Sequence, residues 1–152
     1  MFCATIVSRI SAVFLLITLA IATANAEQTK VDVLVYKSPT CGCCAKWVHY
    51  LEDNGFQVET RDSTAMDQIK ANLGLKDDRL KSCHTALVEG YIVEGHVPVS
   101  DIKKLIAEKP PIKGLTAPGM PMNSPGMASI EPKGYDVYSF DKDGNIEIFS
   151  RY

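Results

Sequence analysis

Three features of the 152-residue sequence predict an α/β domain with a mixed sheet, of thioredoxin-like type. The hydrophobic pattern runs strand, helix, strand, helix, hairpin, helix. A Cys-x-x-Cys pair, Cys41 and Cys44, stands where the first strand pattern gives way to the first helix pattern. A composition of 46% hydrophobic and 22% charged residues at this length is that of one globular domain.

The first 26 residues are read apart from that domain. Arg9 is their single charge, Ile10 to Ala22 is an uncharged apolar run, and Ala24-Asn25-Ala26 is a small-x-small cleavage signal. The run is short of the ~20 apolar residues that span a bilayer, so a secretory signal peptide over residues 1–26 and a single domain over 27–152 are expected. Cleavage removes Cys3 and Arg9, leaving 126 residues, a formal charge of -3 and four cysteines, Cys41, Cys43, Cys44 and Cys83. Mild acidity without a basic block argues against nucleic acid and anionic membrane as partners. Export places the thiols where dithiols become oxidised.

Val31 to Tyr36 is rich in β-branched residues and reads as the first strand. Cys44, Trp47, Val48 and Leu51 follow helical spacing, and Asn54-Gly55 closes the helix. Gln57 to Arg61 alternates as a second strand, and Met66, Ile69 and Leu73 mark a short helix ending at Gly74. Lys76 to Lys81 reads as a charged connector. Thr85 to Val88 and Tyr91 to Val93 flank Glu89-Gly90, a two-residue hairpin signal. Ser100 is placed to cap a helix that buries Ile102, Leu105 and Ile106 and stops at Pro110-Pro111. Gly114 to Lys133, with four prolines and no period, reads as a long loop of functional type. Tyr135 to Phe140 and Asn145 to Tyr152 form a terminal hairpin, whose Asp141-Lys142-Asp143-Gly144 is a turn, since a calcium loop needs further oxygen ligands downstream.

The chemistry concentrates at Cys41-Gly42-Cys43-Cys44. At a helix N-terminus the Cys41 thiolate is favoured by unpaired backbone N–H groups and the helix dipole. Cys44, one turn on, faces the core as resolving thiol or second ligand. Neighbouring Cys43 and Cys44 cannot pair without strain, and a third thiol beside an exchanging pair invites wrong disulfides. A soft metal such as Cu(I) gains from it instead. Cys83-His84 precedes the third strand, where thioredoxin-like enzymes carry a cis-proline facing the CxxC, and no proline is present. His96 is near enough to be a ligand or else lies at the surface, His49 falls on the solvent face of its helix, and Trp47 and Tyr50 read as packing. Met120, Met122 and Met127 cluster in the Pro/Gly-rich loop, either as filler or as soft thioether ligands.

VYKSPTCGCC, KWVHYLEDNGF, SCHTALVEGYIVEGHVP, PGMP, SPGM and YDVYSFDKDG together resemble the CopG-type family of periplasmic, thioredoxin-like proteins associated with bacterial copper resistance. CGCC with SCHTA is the specific part. The resemblance implies a periplasmic copper-binding protein with Cys41, Cys43, Cys44 and Cys83 as ligands and His84, His96 and the methionine loop as additions. The expected cargo is Cu(I) in a thiolate cluster, coupled to redox cycling, with other periplasmic copper-handling proteins as partners. A metal-binding protein is expected in preference to an enzyme. The alternative is a thiol-disulfide oxidoreductase with Cys41 as nucleophile and Cys44 as resolver.

Overall fold

The computed structural model describes residues 30–129 and 131–152, so the expected signal peptide lies outside the described residues. Seven strands form one mixed sheet in the order β2-β1-β3-β4-β5-β6-β7. β1 (Val31–Lys37) pairs in parallel with β2 (Phe56–Asp62), and α1 (Gly42–Asp53) makes the crossover between them. After α2 (Met66–Asn72), β3 (His84–Val88) returns antiparallel to the other side of β1 and turns into β4 (Tyr91–Gly95). α3 (Val99–Glu108) then carries the chain to β5 (Gly114–Ala117), parallel to β4. The order β2-β1-β3-β4 with its three helices is the expected thioredoxin-like core. β5, β6 (Asp136–Phe140) and β7 (Ile146–Arg151) extend it, the last two as the expected terminal hairpin.

Alternation along the strands sorts the apolar residues to two faces. Val33 and Val35 meet Trp47, Val48 and Leu51 of α1 and Ile102 and Leu105 of α3 in the main core. On the other face Leu75, Leu80, Ile92 and Phe140 form a smaller cluster. Among the described residues no helix is long and apolar enough to cross a membrane.

Two local expectations are refined and two, the Ser100 cap and the start of the long loop, are corrected. The connector contains a 3-10 turn, Asp78–Leu80, capped by the Asp77 side chain. α2 buries Lys70, while Met66, Ile69 and Leu73 stay half-buried, because the lysine has an acidic partner inside the fold. α3 starts before Ser100: Asp101 and Ile102 N–H groups donate to the Pro98 carbonyl, and the Ser100 hydroxyl pairs with Tyr152 instead. The Pro/Gly-rich segment begins as β5, since four buried residues there complete the sheet beside β4 before the loop proper starts at Pro118.

Candidate metal centre

Sheet register brings the two halves of the site together. β1 and β3 pair with Lys37 opposite His84, so Cys83 sits at the end of β1 from which the chain turns into α1. Cys41 is the N-cap residue of α1, and its Sγ accepts the Cys44 N–H at 3.3 Å. Cys44 is fully buried, as helical spacing requires, and Cys43 is half-buried on the flank. Cys41 and Cys44 are joined as a disulfide, while Cys43 and Cys83 are free thiols. The four Sγ atoms lie within 4.8 Å of one another. The Cys41 and Cys43 sulfurs are 3.5 Å apart.

A second donor set shares Cys83. Its Sγ is 3.2 Å from His96 Nε2 and 3.3 Å from His84 Nδ1, and these three ligand atoms also fall within 4.8 Å of one another. His96 Nδ1 lies 2.8 Å from the Pro125 carbonyl, which only accepts, so Nδ1 carries the proton and Nε2 presents its lone pair to Cys83. A ring nitrogen tied to a backbone carbonyl behind a free Nε2 is the arrangement that orients a metal-ligating histidine. His84 stacks at 4.4 Å from Trp47 and edge-on at 4.9 Å to His96, and its buried Nε2 has no hydrogen-bond partner.

The electrostatics favour neutral groups while no cation is present. Burial, reinforced by Cys43, pushes the Cys83 thiol up to about 12, so its S–H donates to His96 Nε2. Burial holds His84 well below the ordinary imidazole value, with His96 and Lys70 adding to the effect and the Gly95 carbonyl opposing it. Burial also lowers His96, against the Pro125 carbonyl. A soft cation that displaces the Cys83 proton meets two neutral imidazoles and sulfur, which is the chemistry of copper or zinc sites and not of calcium or magnesium ones.

A buried ion pair supports this segment. Lys70 donates to Glu94 and to the Thr85 hydroxyl, Thr85 donates to Glu94, and the Ser82 N–H donates to Glu94 at 2.6 Å. Burial raises the Glu94 carboxyl, with Lys70 pulling it down. The backbone on the N-terminal side of Cys83 is thereby fixed. None of Lys70, Ser82 or Glu94 was expected at the site. The one available signal was Glu94 itself, a carboxylate in an otherwise apolar hairpin strand.

The sequence-predicted residues thus divide. Cys41, Cys43, Cys44, Cys83, His84 and His96 come together. Met120 and Met122 are 56% and 64% exposed. Met127 is half-buried and lines a cleft with His49 and Tyr50. His49 is solvent-facing and pairs with Glu52. Trp47 packs as expected and also donates from Nε1 to the Val97 carbonyl at 3.0 Å.

Fold and site define a thioredoxin-like protein whose CxxC is faced by a cysteine, itself flanked by two histidines, in a constellation that could hold a metal ion. A family model described as a protein of unknown function, DUF411, matches residues 80–127, the segment holding Cys83, His84, His96 and the methionine loop. Two solved structures of a copper resistance protein, CopG in its forms 1 and 2, match with a TM-score of 0.74 and 36% identity, covering 81% of this chain and 98% of theirs. The chain belongs to this CopG-type family. Among curated protein sequences, none matches the chain.

Proposed function

We propose that this chain is an exported copper-binding protein that holds Cu(I) in a thiolate cluster of Cys41, Cys43, Cys44 and Cys83, with His96 and His84 as nitrogen ligands. It contributes to copper resistance in the periplasm, where residues 1–26 direct it and residues 27–152 act as a single domain. Its partners are copper ions and other copper-handling proteins of that compartment. The observation that carries the reading is the convergence of four Sγ atoms within 4.8 Å from segments about forty residues apart. Thiolate and imidazole together suit copper, and family membership favours copper over zinc.

The disulfide gives the site a redox dependence. A disulfide is a poor ligand and a thiolate a strong one, so the four-sulfur set is complete only when Cys41 and Cys44 are reduced. Oxidising the two copper-bound thiolates to the disulfide gives up two electrons, which a partner disulfide accepts, together with two protons from solvent, as it becomes a dithiol. Copper bound through Cys41 and Cys44 is released in that step, while Cys83, His84 and His96 remain as donors. Anaerobic titration of the reduced protein with Cu(I) against a competing chelator tests the reading. Tight binding that is lost when Cys41 and Cys44 are both serine is expected, and binding indifferent to that change sinks it.

The Cys41–Cys44 disulfide also supports a second reading, a thiol-disulfide oxidoreductase acting on protein substrates. Insulin reduction by metal-free protein at a rate ordinary for CxxC enzymes would favour it. The absence of a proline just before β3 and the third thiol beside the pair weigh against it.

A further inference from the structure

We propose that Met120 and Met122 form an outer thioether port that takes up Cu(I) before it reaches the thiolates. The proposal rests on the copper-binding reading above and adds a second, separate site to it.

The loop that carries these methionines has both feet on the metal centre. At the first foot the Gly119 N–H donates to the Lys81 carbonyl at 3.0 Å, and the Ser82 hydroxyl donates to the Gly119 carbonyl. Ser82 and Gly119 also form a parallel bridge, one residue from Cys83. At the second foot the Pro125 carbonyl accepts from His96. Gly126, at φ +86°, lies so close to α1 that an added Cβ would stand 2.8 Å from the Trp47 backbone nitrogen and 3.0 Å from the Cys43 carbonyl. Between the feet, Ser124 is fully buried and its N–H and hydroxyl both donate to the Pro121 carbonyl, at 3.0 and 2.6 Å. The Ala128 N–H donates to the Met122 carbonyl at 2.9 Å. Met120-Pro121-Met122 is therefore the crown of a braced arch.

The burial order on this arch is inverted. A serine is buried and two large apolar side chains are exposed, the reverse of what the hydrophobic effect selects. Exposed at 56% and 64%, Met120 and Met122 give the core little. Their chemistry differs from that of the cluster in three useful ways. A thioether has no proton to lose, so it binds Cu(I) without titrating. It cannot enter a disulfide, so the port stays competent while Cys41 and Cys44 are oxidised. It is a weaker ligand than a thiolate but shares its preference for soft ions, so passage inward runs downhill. In that passage no electron moves. Each thioether–copper bond is replaced by a sulfur–copper bond at a cysteine, and the cysteine's proton leaves to solvent.

The port is read with Ag(I), a redox-inert stand-in for Cu(I), on full-length mature protein labelled at the methionine methyl carbons. In a Cys43→Ser/Cys83→Ser variant with the Cys41–Cys44 disulfide intact, no thiol ligand remains. The Met120 and Met122 methyl resonances are expected to shift with added Ag(I) while Met66 does not. In the reduced protein with all thiols present, Met120→Leu/Met122→Leu is expected to slow Cu(I) transfer from a chelator several-fold at unchanged final stoichiometry. Leucine conserves volume, so folding is retained. Absence of the methyl shifts, or an unchanged transfer rate in the double leucine variant, overturns the port. Methyl shifts that persist while the reduced wild-type protein fails to bind Cu(I) tightly sink the thiolate reading and sustain the thioether site, so the two failures are told apart.

Discussion

Cys43 is the residue that separates the two readings of the site. It is not part of the disulfide, yet its sulfur stands 3.5 Å from that of Cys41. Cys43→Ser therefore leaves the exchanging pair intact and removes one ligand. Cu(I) affinity of the reduced protein, measured by chelator competition, is expected to fall by more than the ~10- to 100-fold that follows loss of a mere supporting partner. Disulfide exchange by the metal-free variant stays unchanged. Lys70 is the structural counterpart. With Glu94 wholly buried beside it, removing the cation leaves a carboxylate without its partner. Lys70→Met is expected to lower unfolding free energy by about 3–5 kcal/mol, read by urea denaturation, and replacing both members with apolar residues to recover much of the loss.

The element that most changes the picture is β5. By joining β4 in parallel it begins the sheet's extension and sets the starting point of the methionine arch. This pairing depends on Gly114, where any Cβ would overlap the Ile92 carbonyl. Gly114→Ala forces β5 away from β4 and is expected to destabilise the fold by about 1–3 kcal/mol, as overpacking does, measured by chemical denaturation. α1 shows the opposite case, an element whose position follows from its own residues. Its buried side is Cys44, Trp47, Val48 and Leu51, the four positions that helical spacing selects.

At the scale of the whole molecule, stability is tied to pH through the buried histidines. His84 and His96 are both held below their ordinary value of 6.5, so in the metal-free protein the unfolded chain binds more protons as pH falls below 6.5. Stability is thus lost on acidification, from about 6.5 downward toward the depressed folded values. The slope for fully buried His84 approaches about 1.4 kcal/mol per pH unit. Glu94 and Asp101, raised by burial, act in the opposite sense and gain stability as pH falls. Comparing His84→Gln with the parent in urea unfolding between pH 7.5 and 5 isolates the histidine, and the variant's profile is expected to be flatter on the acid side. The thioredoxin-like core, the CxxC at the helix start and the terminal hairpin were legible in the chain because each rests on spacing within a few residues. β5 was hidden by the prolines that follow it, and Lys70 by a charge that reads as solvent-facing until Glu94 is beside it. His96 offered no partner at motif spacing because its partner is thirteen residues away, just before the neighbouring strand. The sequence by itself determined which sulfurs are present, that three of them open a helix, and that a fourth comes just before a strand. The fold class already placed Cys83 and His84 opposite the CxxC; only the tertiary structure decided that His96 joins His84 at Cys83, and that two methionines stay outside. Meeting depends on sheet order and register, which arise from packing over the whole chain and leave no local period to read.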